Sequence, residues 1–181
     1  MDILELFKYL IAQKSETPDD GGLLDFVMEY LQEFTPVRLN KTGVKNLFIY
    51  KKFGEGEHLC FAGHVDVVPA GEGWDVDPYG AVEKDGYIYG RGTQDMKSGV
   101  VAFLQAVKET TAFNGTLSLL LTSDAEGPAQ QRQLEVLKYR EEKEVMSDPS
   151  IVAAPTGGGR LRQRMSTSPR RSRNGGIEIQ R

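Results

Sequence analysis

Residues 58–99 read HLCFAGHVDVVPAGEGWDVDPYGAVEKDGYIYGRGTQDMKSG. The apolar run Leu59–Ala62 is too short for a helix and suits a strand buried on both faces. It ends on Gly63-His64-Val65-Asp66. A loop-rich stretch with Pro69, Gly71, Gly73 and Pro78 follows, then Ala81–Glu83 and Tyr87–Tyr89 joined by Lys84-Asp85-Gly86, a hairpin pattern. Asp95 comes thirty-one positions after His64, between Arg91-Gly92 and Met96-Lys97-Ser98-Gly99. A histidine and an aspartate at the ends of two separate segments, both in glycine-rich surroundings, are candidates to converge on one metal.

Working outward, Ile3, Leu4, Phe7, Leu10 and Ile11 recur at helical spacing and predict an amphipathic helix over 2–13. The turn formers of 15–22 stop it, and Leu23, Leu24, Phe26, Val27, Tyr30, Leu31 and Phe34 predict a second helix. Asp19 or Asp20 is its expected N-cap and Pro36 its expected end. Val37–Leu39 and Asn46–Tyr50 read as short strands, and Val100–Val107 as a mostly apolar helix. Thr116–Thr122 is a core strand that ends at Ser123-Asp124-Ala125-Glu126-Gly127. Leu134–Val145 predicts a charged helix and Ile151–Ala153 a last short strand. Helices alternating with hydrophobic strands indicate an α/β domain around a mixed, largely parallel sheet flanked by helices.

Composition narrows the function. The 181 residues suit one domain with a substantial core. No stretch approaches the roughly 18 apolar residues of a membrane span, so no membrane partner is expected. The acidic, amphipathic start carries no signal-peptide pattern. The single cysteine, Cys60, excludes an internal disulfide, fits a cytoplasmic setting and reads as a buried, inert thiol. The net charge of −4 hides two unlike parts: residues 1–156 hold 15 Lys+Arg against 25 Asp+Glu, whereas 157–181 hold seven Arg and one acid. The tail is rich in Arg, Gly and Ser, has no apolar period, and is expected to be disordered or out of frame. It contains no aromatic residue for base stacking, so no nucleic-acid partner is expected.

His64 and Asp95 are of the residue types that hold a hydrolytic dication, and Glu126 follows the third strand in an acidic turn. Asp66, two residues after His64, is placed to orient the imidazole from behind. On spacing alone a plainer reading stays open, with His64 a buried hydrogen-bonded histidine and the acids ordinary turn formers.

Residue identity adds a resemblance. Gly63-His64-Val65-Asp66-Val67-Val68-Pro69, with Trp74 and Pro78, resembles the first metal motif of the dinuclear zinc aminoacylase/carboxypeptidase family. Arg91–Gly99 resembles its second motif, Thr122–Gly127 its third, Val152–Thr156 its fourth, and Ser15-Glu16-Thr17-Pro18 its N-terminal loop. The resemblance covers roughly residues 1–156 and implies a partial zinc-peptidase-like catalytic domain that hydrolyses an amide of a small-molecule substrate. It implies two zinc ions, for which cobalt can substitute, with His64 on one ion, Asp95 bridging both and Glu126 on the other. Asp66 would orient His64, and the Asp95–Met96 peptide would be cis. Two positions depart from the pattern: Ala125 stands where the family has its proton-transferring glutamate, and Ala154 where it has another ligand. A further histidine ligand and a dimerising domain, which makes the family homodimeric, are expected to lie beyond this chain. His58 reads as a solvated residue at the far end of its strand.

Overall fold

The computed structural model describes residues 1–40, 43–126 and 150–152. The expected helix over 134–145, Ala154 and the 157–181 tail lie outside the described residues. Helix α1 (Ile3–Ala12) starts with a reciprocal cap. The Asp2 carboxylate accepts the Glu5 amide at 2.8 Å, and the Glu5 carboxylate accepts the Asp2 amide at 2.9 Å. Its buried stripe is Leu6, Leu10 and Ile11, while Ile3 and Leu4, expected inward, stand exposed.

Helix α2 (Leu23–Tyr30) buries Leu23, Leu24 and Val27 and stops well before Pro36. Its N-cap is Gly22 rather than an aspartate, but the Asp20 carboxylate still accepts the Leu24 amide at 3.2 Å. Lys45 donates to the same carboxylate at 2.5 Å. Burial pushes the Asp20 carboxyl up, yet the hydrogen bonds from Lys45 and Leu24 outweigh it and hold the group below the ordinary carboxylate range. A folded-state value below the unfolded one, about 3.9, gives stability that is present above that pH and lost as pH falls through the lower value. Asp20→Asn is therefore expected to lose about 1–2 kcal/mol at neutral pH and nearly nothing in strong acid, as read by urea unfolding at both pH values.

Strands β1 (Thr35–Arg38), β2 (Asn46–Lys52), β3 (Glu57–His64), β6 (Gly115–Thr122) and β7 (Ser150–Val152) form one sheet in the order β1-β2-β6-β3-β7. Strands β4 (Val82–Lys84) and β5 (Tyr87–Tyr89) make the expected hairpin. Pairing is antiparallel for β1–β2 and β2–β6, and parallel for β6–β3 and β3–β7. The sheet is thus mixed, with its parallel half around β3. Pro36 sits inside β1, the last strand of the order on that side, where a missing N–H is tolerated.

Alternation along the strands sorts their side chains. Leu47, Ile49, Phe61, Leu117, Leu119 and Leu121 pack in one cluster with residues of α1, α2 and helix α3 (Ser98–Glu109). Their neighbours in sequence, among them Phe48, Cys60 and Ser118, are buried as well, which explains the nearly continuous apolar runs of β2, β3 and β6.

Gly115 starts β6 at φ +147°, opposite Glu57. A Cβ there would stand 1.9 Å from the Glu57 carbonyl oxygen, so the two central strands would have to part. Gly115→Ala is expected to cost about 2 kcal/mol or more, seen as a lowered urea midpoint.

Candidate metal centre

Parallel pairing puts the carboxyl ends of β3 and β6 side by side. His64 lies opposite Thr122, and the Val65 amide donates to the Thr122 carbonyl at 3.0 Å. In α/β sheets the loops leaving those ends hold functional groups. His64 is the last residue of β3, so the strand runs further than its apolar core Leu59–Ala62 suggests. Glu126 sits in the loop after β6, and Asp95 in the turn Thr93–Lys97 that leads into α3. The Asp95–Met96 peptide is cis, as the resemblance implies.

The three side chains meet. His64 Nε2 lies 3.2 Å from Asp95 Oδ1 and 3.8 Å from Glu126 Oε1. One donor atom from each lies within 4.8 Å of the others. The imidazole is nearly buried, whereas the Asp95 side chain is 55% exposed. His64 Nδ1 is 2.9 Å from the Asp66 main-chain oxygen. A carbonyl only accepts, so Nδ1 carries a hydrogen, which leaves Nε2, the nitrogen on the side of the two carboxylates, as the one open to a metal. One imidazole nitrogen and two carboxylate oxygens facing one another are a fitting donor set for a divalent ion such as zinc.

Asp66 lies behind His64, and its main chain and side chain have separate partners. Its main-chain carbonyl orients the imidazole, while its carboxylate Oδ1 stays 3.6 Å from Nδ1. The fully buried carboxylate accepts instead from the amides of Ala125 and Glu126, each at 3.0 Å, and from the Thr17 hydroxyl. These donors take up its lone pairs and hold the loop that carries Glu126 against β3. Nothing in the spacing of Asp66 and Glu126 announces this link.

Lys97 was equally hidden in the sequence. It is fully buried, and its ammonium donates to the carbonyls of Leu10 at 2.7 Å and Gln13 at 3.0 Å. A cation thereby satisfies the last carbonyls of α1, where the helix dipole favours it. Burial pushes the ammonium down to about 8, with the Asp66 charge pulling the other way. The tie also fastens α1 to the turn that holds Asp95.

Other expectations resolve simply. His58 is half-buried rather than solvated, because the Ser118 hydroxyl partners its Nε2 at 2.7 Å and Phe48 packs edge-on against its ring. It stands at the opposite end of β3 from His64. Cys60 is buried, and Ala125 offers no side-chain group that moves a proton. Among the described residues, no helix is long and apolar enough to cross a membrane.

Residues 60–153, just over half of the chain, match the model of peptidase family M20/M25/M40. The chain belongs to that family. Its match includes His64, Asp95 and Glu126 together with β6 and α3. Among curated relatives of this M20-type chain, the succinyl-diaminopimelate desuccinylase of Sulfurimonas denitrificans is 64% identical over 156 residues, 86% of this chain and 43% of the relative. The desuccinylase of Nitratiruptor sp. is 56% identical over 178 residues, 98% of this chain and 49% of the relative. The chain thus spans about half the length of the curated relatives it matches. Two solved structures share the M20 fold at low identity. Human carnosine dipeptidase 1 superposes with a TM-score of 0.70 at 20% identity, over 86% of this chain and 38% of the dipeptidase. An M20 family metallo-carboxypeptidase from Sulfolobus solfataricus does so with a TM-score of 0.69 at 21% identity, over 87% of this chain and 38% of its own.

Proposed function

We propose that this chain carries the metal-binding part of a metal-dependent amidohydrolase of the succinyl-diaminopimelate desuccinylase type. Its small-molecule substrate class is N-succinyl-LL-diaminopimelate, an intermediate of lysine and diaminopimelate biosynthesis. The observation that carries the reading is the convergence of His64, Asp95 and Glu126 at the carboxyl ends of β3 and β6. The 64% identity to a desuccinylase, and the run 63–74 in particular, supports this acyl group over acetylornithine deacetylase or peptidase alternatives. Residues 1–156 are read as the partial catalytic α/β domain and 157–181 as a separate tail. A cytoplasmic, homodimeric enzyme fits the same reading.

His64, Asp95 and Glu126 would hold the metal, zinc by their chemistry, with cobalt as a substitute and a second ion in the family pattern. When bound, a metal of this kind polarises the amide carbonyl and makes a water acidic enough to attack at neutral pH. The chain's own residues prepare that site. The Asp66 carbonyl fixes the His64 tautomer, and the Asp66 carboxylate fixes the approach of Glu126. Buried Met96 packs against the end of β3, its sulfur accepting from the His64 main-chain amide at 3.4 Å.

Proton transfer is the weak step. A positioned acid or base typically contributes ~10²–10⁴-fold to the rate, and Ala125 supplies none. That residue favours a second reading, a non-catalytic remnant that keeps the fold and binds one metal or a partner. Purified protein with saturating zinc or cobalt is expected to turn over N-succinyl-LL-diaminopimelate at least ~10²-fold more slowly than an intact relative. Turnover equal to the relative's would overturn the assignment of Ala125 to the base position.

A further inference from the structure

The connection between α1 and α2 reaches the centre, although it lies some fifty residues earlier in the chain. Ser15 and Thr17 are stitched to the segment after β3. The Ser15 hydroxyl donates to the Val65 carbonyl at 2.7 Å, the Val67 amide to the Ser15 carbonyl at 2.8 Å, and the Thr17 amide to the Val67 carbonyl at 3.1 Å. Ser15, Val65 and Val67 are all buried, so this short bridge is fixed in the core. It presents the Thr17 hydroxyl to Asp66 Oδ2, the same oxygen that accepts the Glu126 amide.

We propose that Thr17 is a positioning residue for the metal centre, acting on Glu126 through the Asp66 carboxylate. The reasoning rests on the metal-binding reading above. Asp66 is fully buried and its two oxygens have separate duties: Oδ1 takes the Ala125 amide, and Oδ2 takes both the Glu126 amide and Thr17. Among the described residues the Thr17 hydroxyl is the side-chain donor hydrogen-bonded to this carboxylate, and it approaches from the side of the N-terminal connection. Without it the carboxylate keeps only the two amides of the Glu126 loop, so carboxylate and loop lose their tie to the N-terminal connection and shift together. Lys97 braces the same connection at its other end by holding the Leu10 and Gln13 carbonyls, two residues along from Asp95. Two of the three donors therefore take their positions partly from residues 10–17.

The test uses Thr17→Val, which keeps the branched shape and removes only the hydroxyl. Valine also keeps the extended backbone that a residue before Pro18 prefers. Thr17→Ser restores the hydroxyl, and Thr17→Ala repeats the deletion in case valine is not accommodated. Each full-length variant is titrated with cobalt(II), followed by its visible absorption, after circular dichroism and urea unfolding establish the folded fraction. The expected result is about tenfold weaker cobalt binding and an altered visible band for Val and Ala, with Ser close to the parent. Equal affinity and an unchanged band in Val and Ala would overturn the role of Thr17 alone. A parent chain that binds no cobalt would overturn the metal reading, and this inference with it.

Discussion

Asp66→Ala is expected to lower stability by about 3–5 kcal/mol and to weaken metal binding at least tenfold. The carboxylate is fully buried and accepts two main-chain amides and one hydroxyl. Its removal leaves those donors without their acceptor at a buried position, and each such orphan costs about 1–3 kcal/mol. The Lys97 ammonium also loses the negative charge that opposes its desolvation. Asp66→Asn separates the two effects. It keeps the volume and one acceptor oxygen but turns an NH₂ toward an amide donor, so it should lose most of the same stability. Urea unfolding reads the first effect and calorimetric zinc titration the second. Because the Asp66 carbonyl belongs to the main chain, the hydrogen bond to His64 Nδ1 survives both substitutions. The loss in affinity then comes from Glu126.

His64→Ala is expected to have the opposite profile, with a small change in stability and a loss of metal affinity on the order of 10²-fold or more. That exceeds the 10–100-fold typical of residues that stand behind a ligand. His64 is the one nitrogen donor of the three, and its Nε2 lies 3.2 Å and 3.8 Å from the two carboxylates it faces. Removing it leaves two carboxylates, a weaker set for a borderline-soft ion such as zinc than for a hard one. The imidazole makes one short hydrogen bond with its Nδ1, to a carbonyl, so its loss orphans little. Circular dichroism should therefore show an intact fold in a chain that no longer holds zinc.

The elements that position the centre were legible because burial left a pattern. The apolar runs of β3 and β6 and the periodic apolar positions of α3 follow directly from packing on both sides of a sheet. His64, Asp95 and Glu126 were legible because strand ends and glycine-rich turns mark where a chain of this class exposes its chemistry. Parallel pairing of β3 with β6 then brings two of those ends together. What stayed hidden were links across the chain. The spacing of Thr17, Asp66 and Glu126 has no period, and Lys97 looks like any lysine ahead of a helix. Its burial depends on where the end of α1 happens to lie. Asp66 was expected behind His64, but a sequence does not say that the main-chain carbonyl meets the imidazole while the carboxylate serves the Glu126 loop. The apolar first turn of α1 misled in the other direction, since an amphipathic stripe does not say how far along the helix the core extends.

A calorimetric zinc titration of the unaltered chain beside His64→Ala tests the assignment most directly. The assignment predicts saturable zinc binding by the unaltered chain, since three donors converge, with that binding lost in the variant. Absence of saturable binding in the parent, or equal binding in the variant, would contradict it.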